Sequence, residues 1–84
     1  MSPSQMARER MAEETARYHD RQHRRLMVTL LHPPQAMGEP QYSEAAWRAD
    51  YHFRETKAAE VRLVAIQLED FEVESLRRLC RRAA

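Results

Sequence analysis

The sequence predicts an all-α fold: a two-helix antiparallel hairpin that associates as a helical-bundle dimer. Three observations carry this. Residues 4–31 and 43–84 contain neither Pro nor Gly. The segment between them, residues 33–42, holds three of the four Pro and the only Gly, Gly38. The second long stretch is also apolar over a wider arc than one neighbouring helix can cover. All 84 residues read as a single helical domain.

The first helix starts at Ser2-Pro3-Ser4-Gln5. Ser2 can accept from the Gln5 amide and the Gln5 side chain can reach back, which makes a capping box. Pro3 then occupies the first helical position, where its missing N–H is not needed. From Gln5 onward Ala, Arg, Glu, Met and Gln dominate, and all favour helix. His32-Pro33-Pro34 ends the element, because a proline drives the residue before it out of helical geometry. The first helix therefore spans about residues 3–31. Its apolar stripe is thin: Met11, Ala12, Thr15, Tyr18, Leu26 and Leu30, with His19 inside it and His23 at its edge.

A Pro-rich loop is expected over residues 32–43, with Ser43 as the next N-cap and Glu44 in the first turn. The second helix then spans about residues 44–82 and overhangs the first by about ten residues. A break near Glu69-Asp70, where acidic residues crowd, is the competing reading. Trp47, Tyr51, Ala58, Val61, Val64, Ala65, Leu68, Phe71 and Leu79 form one stripe; Ile66, Val73, Leu76 and Cys80 form an adjoining one, with Leu63 further round. An arc that wide is covered on more than one side. A second copy is the simplest cover, and self-association is assigned to Val61, Val64, Leu68, Phe71, Leu76 and Leu79. Glu69, Asp70, Glu72 and Glu74 precede Arg77, Arg78, Arg81 and Arg82, so two such segments running antiparallel match charge. The alternative fold is a small α+β domain with short strands at Leu26–Leu31 and Val61–Leu68, where Val, Ile, Leu and Thr concentrate. Neither run has a hairpin turn beside it, and an isolated two-stranded sheet is marginal.

Composition excludes several function classes. One Cys permits no internal disulfide and no four-thiolate metal site, and points to a reducing compartment. One Gly leaves no room for a Gly-rich phosphate loop. No apolar run approaches the roughly 18 residues of a membrane span, and the polar N-terminus does not read as a secretory signal. The expected location is the cytoplasm. Leu, Ile, Val and Phe number fourteen, which is about 17% of the chain and below the roughly 20% of a well-packed globule. A domain this small and this poor in core residues gains stability from a metal or from oligomerisation.

Charged residues make up 32% of the chain but nearly cancel, 14 basic against 13 acidic. A net charge of +1 supplies no global steering field for nucleic acid. Local Arg clusters remain: Arg21, Arg24 and Arg25, and then Arg77, Arg78, Arg81 and Arg82. Such clusters can track phosphates, and a nucleic-acid-binding regulator is the first alternative function.

His19 and His23, four residues apart on one helix face, have a spacing that metals use. With Leu31 level with Glu44, His52 falls near His23 and Glu55 near His19, so a metal-stabilised bundle on His19, His23 and His52 is the second alternative. Tyr42, Trp47, Arg48 and Tyr51, with Phe53, Arg54 and Met37 nearby, are residue types enriched at binding hot spots and are assigned to an outside protein partner. Ser2, Ser4, Ser43 and Ser75 have no evident His/Asp setting, and Cys80 lies on an apolar stripe. No enzyme activity, cofactor or membrane partner is expected. The expected function is a small protein–protein interaction module, a regulator, adaptor or inhibitor, acting through a self-associating helical surface.

Overall fold

The computed structural model describes residues 2–83. The chain is an all-α helical hairpin of two helices, α1 (Pro3–Leu31) and α2 (Glu39–Ala83). Leu26–Leu31 and Val61–Leu68 are helical, so the two-strand alternative does not hold. The hairpin is a rod measuring 72 × 20 × 15 Å. Among the described residues no helix is long and apolar enough to cross a membrane.

The first helix begins as its sequence dictates. The Ser2 hydroxyl accepts from the Gln5 amide at 3.1 Å, with Pro3 in the first turn. The other half of the expected capping box is not made. Gln5 is buried and its Nε2 donates across the hairpin to the Ile66 carbonyl at 3.1 Å. A carbonyl oxygen has two lone pairs, so Ile66 serves its own helix and Gln5 together. α1 closes at His32, whose N–H donates to the Val28 carbonyl at 2.9 Å.

The connection is shorter than expected. α2 starts at Glu39, not at Glu44, and Ser43 lies inside it. Gly38 provides the carbonyl that accepts from the Tyr42 amide at 3.0 Å. Pro40 falls in the first turn, where its fixed φ suits the helix and its missing donor has no partner to lose. Glu39 places an anion at the positive end of the helix dipole. α2 then runs unbroken through Glu69-Asp70 to Ala83. Acidic residues adjacent in sequence point 100° apart on a helix, so their crowding does not break it.

α2 has 45 residues and α1 has 29. The loop ties their neighbouring ends, so the excess sits at the C-terminal end of α2. It amounts to roughly 24 Å of helix at 1.5 Å per residue, more than the ten-residue overhang expected.

Small and polar residues line the seam. On α2 the inward positions are Ala45, Ala49, His52, Thr56, Ala59, Leu63 and Ile66, alternately four and three residues apart. α1 meets them with Ala12, Ala16, His19, His23, Leu26 and Leu30 in the same rhythm. This is the heptad spacing of helices that wind around each other. Ala12, Ala45, Ala49, Ala59 and Ile66 are the buried apolar residues. Thr56 is buried too and returns its hydroxyl to the His52 carbonyl at 2.8 Å. Among the described residues no buried side-chain polar atom lacks a partner. Met11 and Tyr18, expected in the α1 stripe that meets α2, are exposed instead.

Candidate interaction surfaces

Turning Ala and Thr inward sends the large apolar side chains of α2 outward. Val61, Val64, Leu68 and Phe71 succeed one another at intervals of three, four and three residues. They form a second heptad stripe, roughly opposite the seam at 100° per residue. All four are exposed, Phe71 at 68% of its surface. Leu76 and Leu79 are also exposed, on the part of α2 that projects past α1. A shallow depression there is lined by Val73, Leu76, Arg77, Cys80 and Arg81, all from α2.

The aromatic residues divide between two flanks. Trp47 and Tyr51 stack with ring centroids 5.9 Å apart and planes 7° from parallel. Tyr51 meets the edge of His19 at 5.9 Å, and Tyr18 meets His19 at 5.0 Å. Tyr42 lies five residues before Trp47, so it points about 140° away around the helix. Phe53 shares the Tyr42 side and packs against His23 at 5.5 Å, with the Lys57 ammonium over its ring. Arg48 is held by Glu44, one turn earlier on α2, at 2.7 Å. The expected four-residue patch is therefore a Trp47–Tyr51 stack with Tyr42 on another side.

On the same side of the hairpin as the Trp47–Tyr51 stack, but roughly 20 Å further along the axis, an open groove of about 440 Å³ runs between the helices. Met11, Ala12 and Thr15 of α1 face Ala65 and Ile66 of α2 across it, with Arg8 and Arg62 alongside. Sequence reasoning missed this feature. The Met11, Thr15, Tyr18 spacing was visible, but it marks the groove flank of α1 and not its buried face.

His19 and His52 meet across the seam, with Nδ1 atoms 2.7 Å apart. One ring donates and the other accepts, so at least one is neutral. His23 lies beside them and its Nδ1 bonds the Ala49 carbonyl at 3.0 Å. The expected partnership of His52 with His23 is thus displaced by about one turn, because α2 begins about one turn early. Burial holds the His52 pKa below the ordinary imidazole value; the positive charge of His19, His23 and Arg48 adds to this, and Glu55 opposes it. Among the described residues no three His, Cys, Asp or Glu side chains converge to hold a metal ion. In the structure His19 and His52 are hydrogen-bonded to each other and His23 to the backbone, so the three imidazoles do not converge on one point.

The Arg clusters do not combine into one patch. Arg21, Arg24 and Arg25 belong to the loop-side half of α1, and Arg77, Arg78, Arg81 and Arg82 to the far end of α2, roughly 45 Å away along the axis. Arg24 pairs with Asp20 at 3.0 Å; Arg78 and Arg81 both approach Glu74, at 3.6 and 3.5 Å. Between the helices, Arg8 grips Glu69 with two hydrogen bonds of 3.1 and 2.9 Å. Compared with known proteins, the chain matches no family model, no curated protein and no solved structure.

Proposed function

We propose that this chain is a non-enzymatic protein–protein interaction module whose first partner is a second copy of itself. One observation carries the reading: the hairpin alone exposes far more surface than its mass warrants. A folded monomer of this mass exposes about 5,200 Å² by the usual scaling. The hairpin exposes 6881 Å². The excess of about 1,600 Å² per chain is what a permanent dimer buries per partner. The outer stripe of Val61, Val64, Leu68, Phe71, Leu76 and Leu79 is the apolar surface that such a contact would cover.

Physical cost supports the same reading. Among the described residues five apolar side chains are buried in the hairpin, four of them Ala. Each buried CH₂ contributes only about 0.8 kcal/mol, so Ala-rich seams are weak. Association adds the larger side chains to the same core. The Trp47–Tyr51 stack with Arg48 supports contact with a different protein, since aromatic and Arg side chains dominate interface energetics.

The test is mass in solution by light scattering coupled to size exclusion. Self-association gives about 20 or 40 kDa, the mass of a closed dimer or tetramer. A mass of 10.0 kDa at every concentration would reject it.

A further inference from the structure

We infer that two copies join tail to tail, through the projecting ends of α2 crossed antiparallel at Ser75. This rests on the self-association proposed above and specifies its geometry. The projecting end is the part of the hairpin where the apolar stripe has no α1 beside it. Phe71, Ser75 and Leu79 are spaced by four residues and continue the line of Leu68. Phe71 and Leu79 are 68% and 60% exposed. Ser75, between them, is the small residue that lets two helices cross closely.

Charge selects the second copy as the occupant and sets its direction. The acidic residues of this segment, Glu69, Asp70, Glu72 and Glu74, all precede Ser75. The basic residues, Arg77, Arg78, Arg81 and Arg82, all come after it. A parallel pair sets acid on acid and Arg on Arg, and like charges repel. An antiparallel pair lays each acidic half on the other copy's basic half. Glu72 of one copy then lies level with Arg78 of the second copy, three residues either side of Ser75, and the two-fold axis repeats the contact. Among the described residues Asp70, Glu72, Arg77 and Arg82 make no ion pair within the hairpin, so they are free to join this exchange.

Crossing at Ser75 also matches the apolar side chains. Phe71 and Leu79 are each four residues from Ser75, so Phe71 of one copy packs against Leu79 of the second. Leu68 and Arg82 are each seven residues away, and the aliphatic stem of Arg82 covers Leu68. The shared stretch is self-complementary, as a two-fold interface requires. Val61 and Val64 lie beyond it, so the crossing covers the C-terminal half of the stripe and only part of the excess surface described above.

Cysteine cross-linking tests the geometry. Cys80→Ser removes the only thiol and serves as the background. Phe71→Cys and Leu79→Cys are placed in it separately, and each is oxidised alone and mixed with the other. Efficient cross-linking in the mixture, at least tenfold above either variant alone, is the expected result. Cross-linking of Phe71→Cys with itself would overturn the antiparallel arrangement. Charge provides a second arm on the otherwise native chain. Arg78→Glu/Arg81→Glu and Glu72→Arg/Glu74→Arg should each weaken self-association at least tenfold, and an equimolar mixture should restore it. If both charge variants stay dimeric by light scattering and no cross-link forms, another face holds the dimer. The tail-to-tail arrangement then fails while the self-association reading stands; only a monomeric native chain would reject both.

Discussion

The two faces of α2 are built from opposite materials. The inner face presents Ala45, Ala49, Thr56 and Ala59 to α1, and the outer face presents Val61, Val64, Leu68 and Phe71 to water. In most small domains the large side chains sit inside, because burial contributes in proportion to apolar area. Here the buried part of the intramolecular contact is mostly Ala and Thr, with Ile66 the one large apolar side chain buried there among the described residues. The difference separates two tasks. Small side chains set helix spacing and register, and Val61, Val64, Leu68 and Phe71 are left on the outside.

The sharpest way to break this contrast is to add the same bulk on each side. Ala59 is fully buried in the seam, while Ala58, its neighbour in sequence, is exposed. Ala59→Leu forces three extra heavy atoms between the helices and should destabilise the hairpin by about 1–3 kcal/mol. Ala58→Leu should change stability by less than about 0.5 kcal/mol. Urea unfolding monitored by circular dichroism reads both. Equal shifts for the two variants would show that the seam is not the packed face.

A smaller effect comes from the polar middle of the seam. His52 is held below the ordinary imidazole pKa, chiefly by burial, with His19, His23 and Arg48 adding positive charge and Glu55 opposing them. The unfolded chain takes up a proton at His52 near pH 6.5 while the folded chain resists it. Below that pH the unfolded state binds more protons, so stability is lost as pH falls. The contribution is complete above about pH 7 and fades as the solution is acidified through 6.5. Urea midpoints between pH 7.5 and 5.5 should fall for the native chain and stay flatter for His52→Gln. Identical slopes would remove the imidazole pair from the account.

The hairpin itself was legible because its signals are local. Helix-favouring residues without a breaker, a Ser2-Pro3 start and the Pro33-Pro34 stop are all read within a few positions. The register was not, because it depends on where α2 begins. Pro40 reads as loop when counted as a breaker, yet in a first helical turn it is compatible with helix. Starting α2 at Glu39 shifts the facing residues by about one turn, which pairs His52 with His19 in place of His23. The seam was hidden for another reason. A search for large apolar residues picks the outer stripe and passes over Ala45, Ala49, Thr56 and Ala59, although these alternate by the same fours and threes. Ile66 was visible but fell in the secondary stripe, while Val61, Val64, Leu68 and Phe71 share one stripe in both the sequence and the structure.

The smallest effect is expected from the most conspicuous contact. Among the described residues Arg8–Glu69 is the one ion pair that joins α1 to α2. Its two-pronged geometry holds the Glu69 carboxyl below, and the Arg8 guanidinium above, their ordinary pKa values; mutual hydrogen bonding is the main cause in both. Both side chains remain about half exposed, so water and salt screen the attraction. Arg8→Ala should therefore leave the urea midpoint nearly where it was. The little that is lost should vanish in 1 M salt, where the screening length is about 3 Å. Acidification removes the same small contribution as Glu69 takes up a proton, since its folded pKa is the lower one. A large loss that persists in high salt would mean that Arg8 acts by packing, with its stem along the Met11–Ala65 groove. The inner face would then depend on a long side chain as well as on small ones, and the contrast between the two faces of the hairpin would weaken.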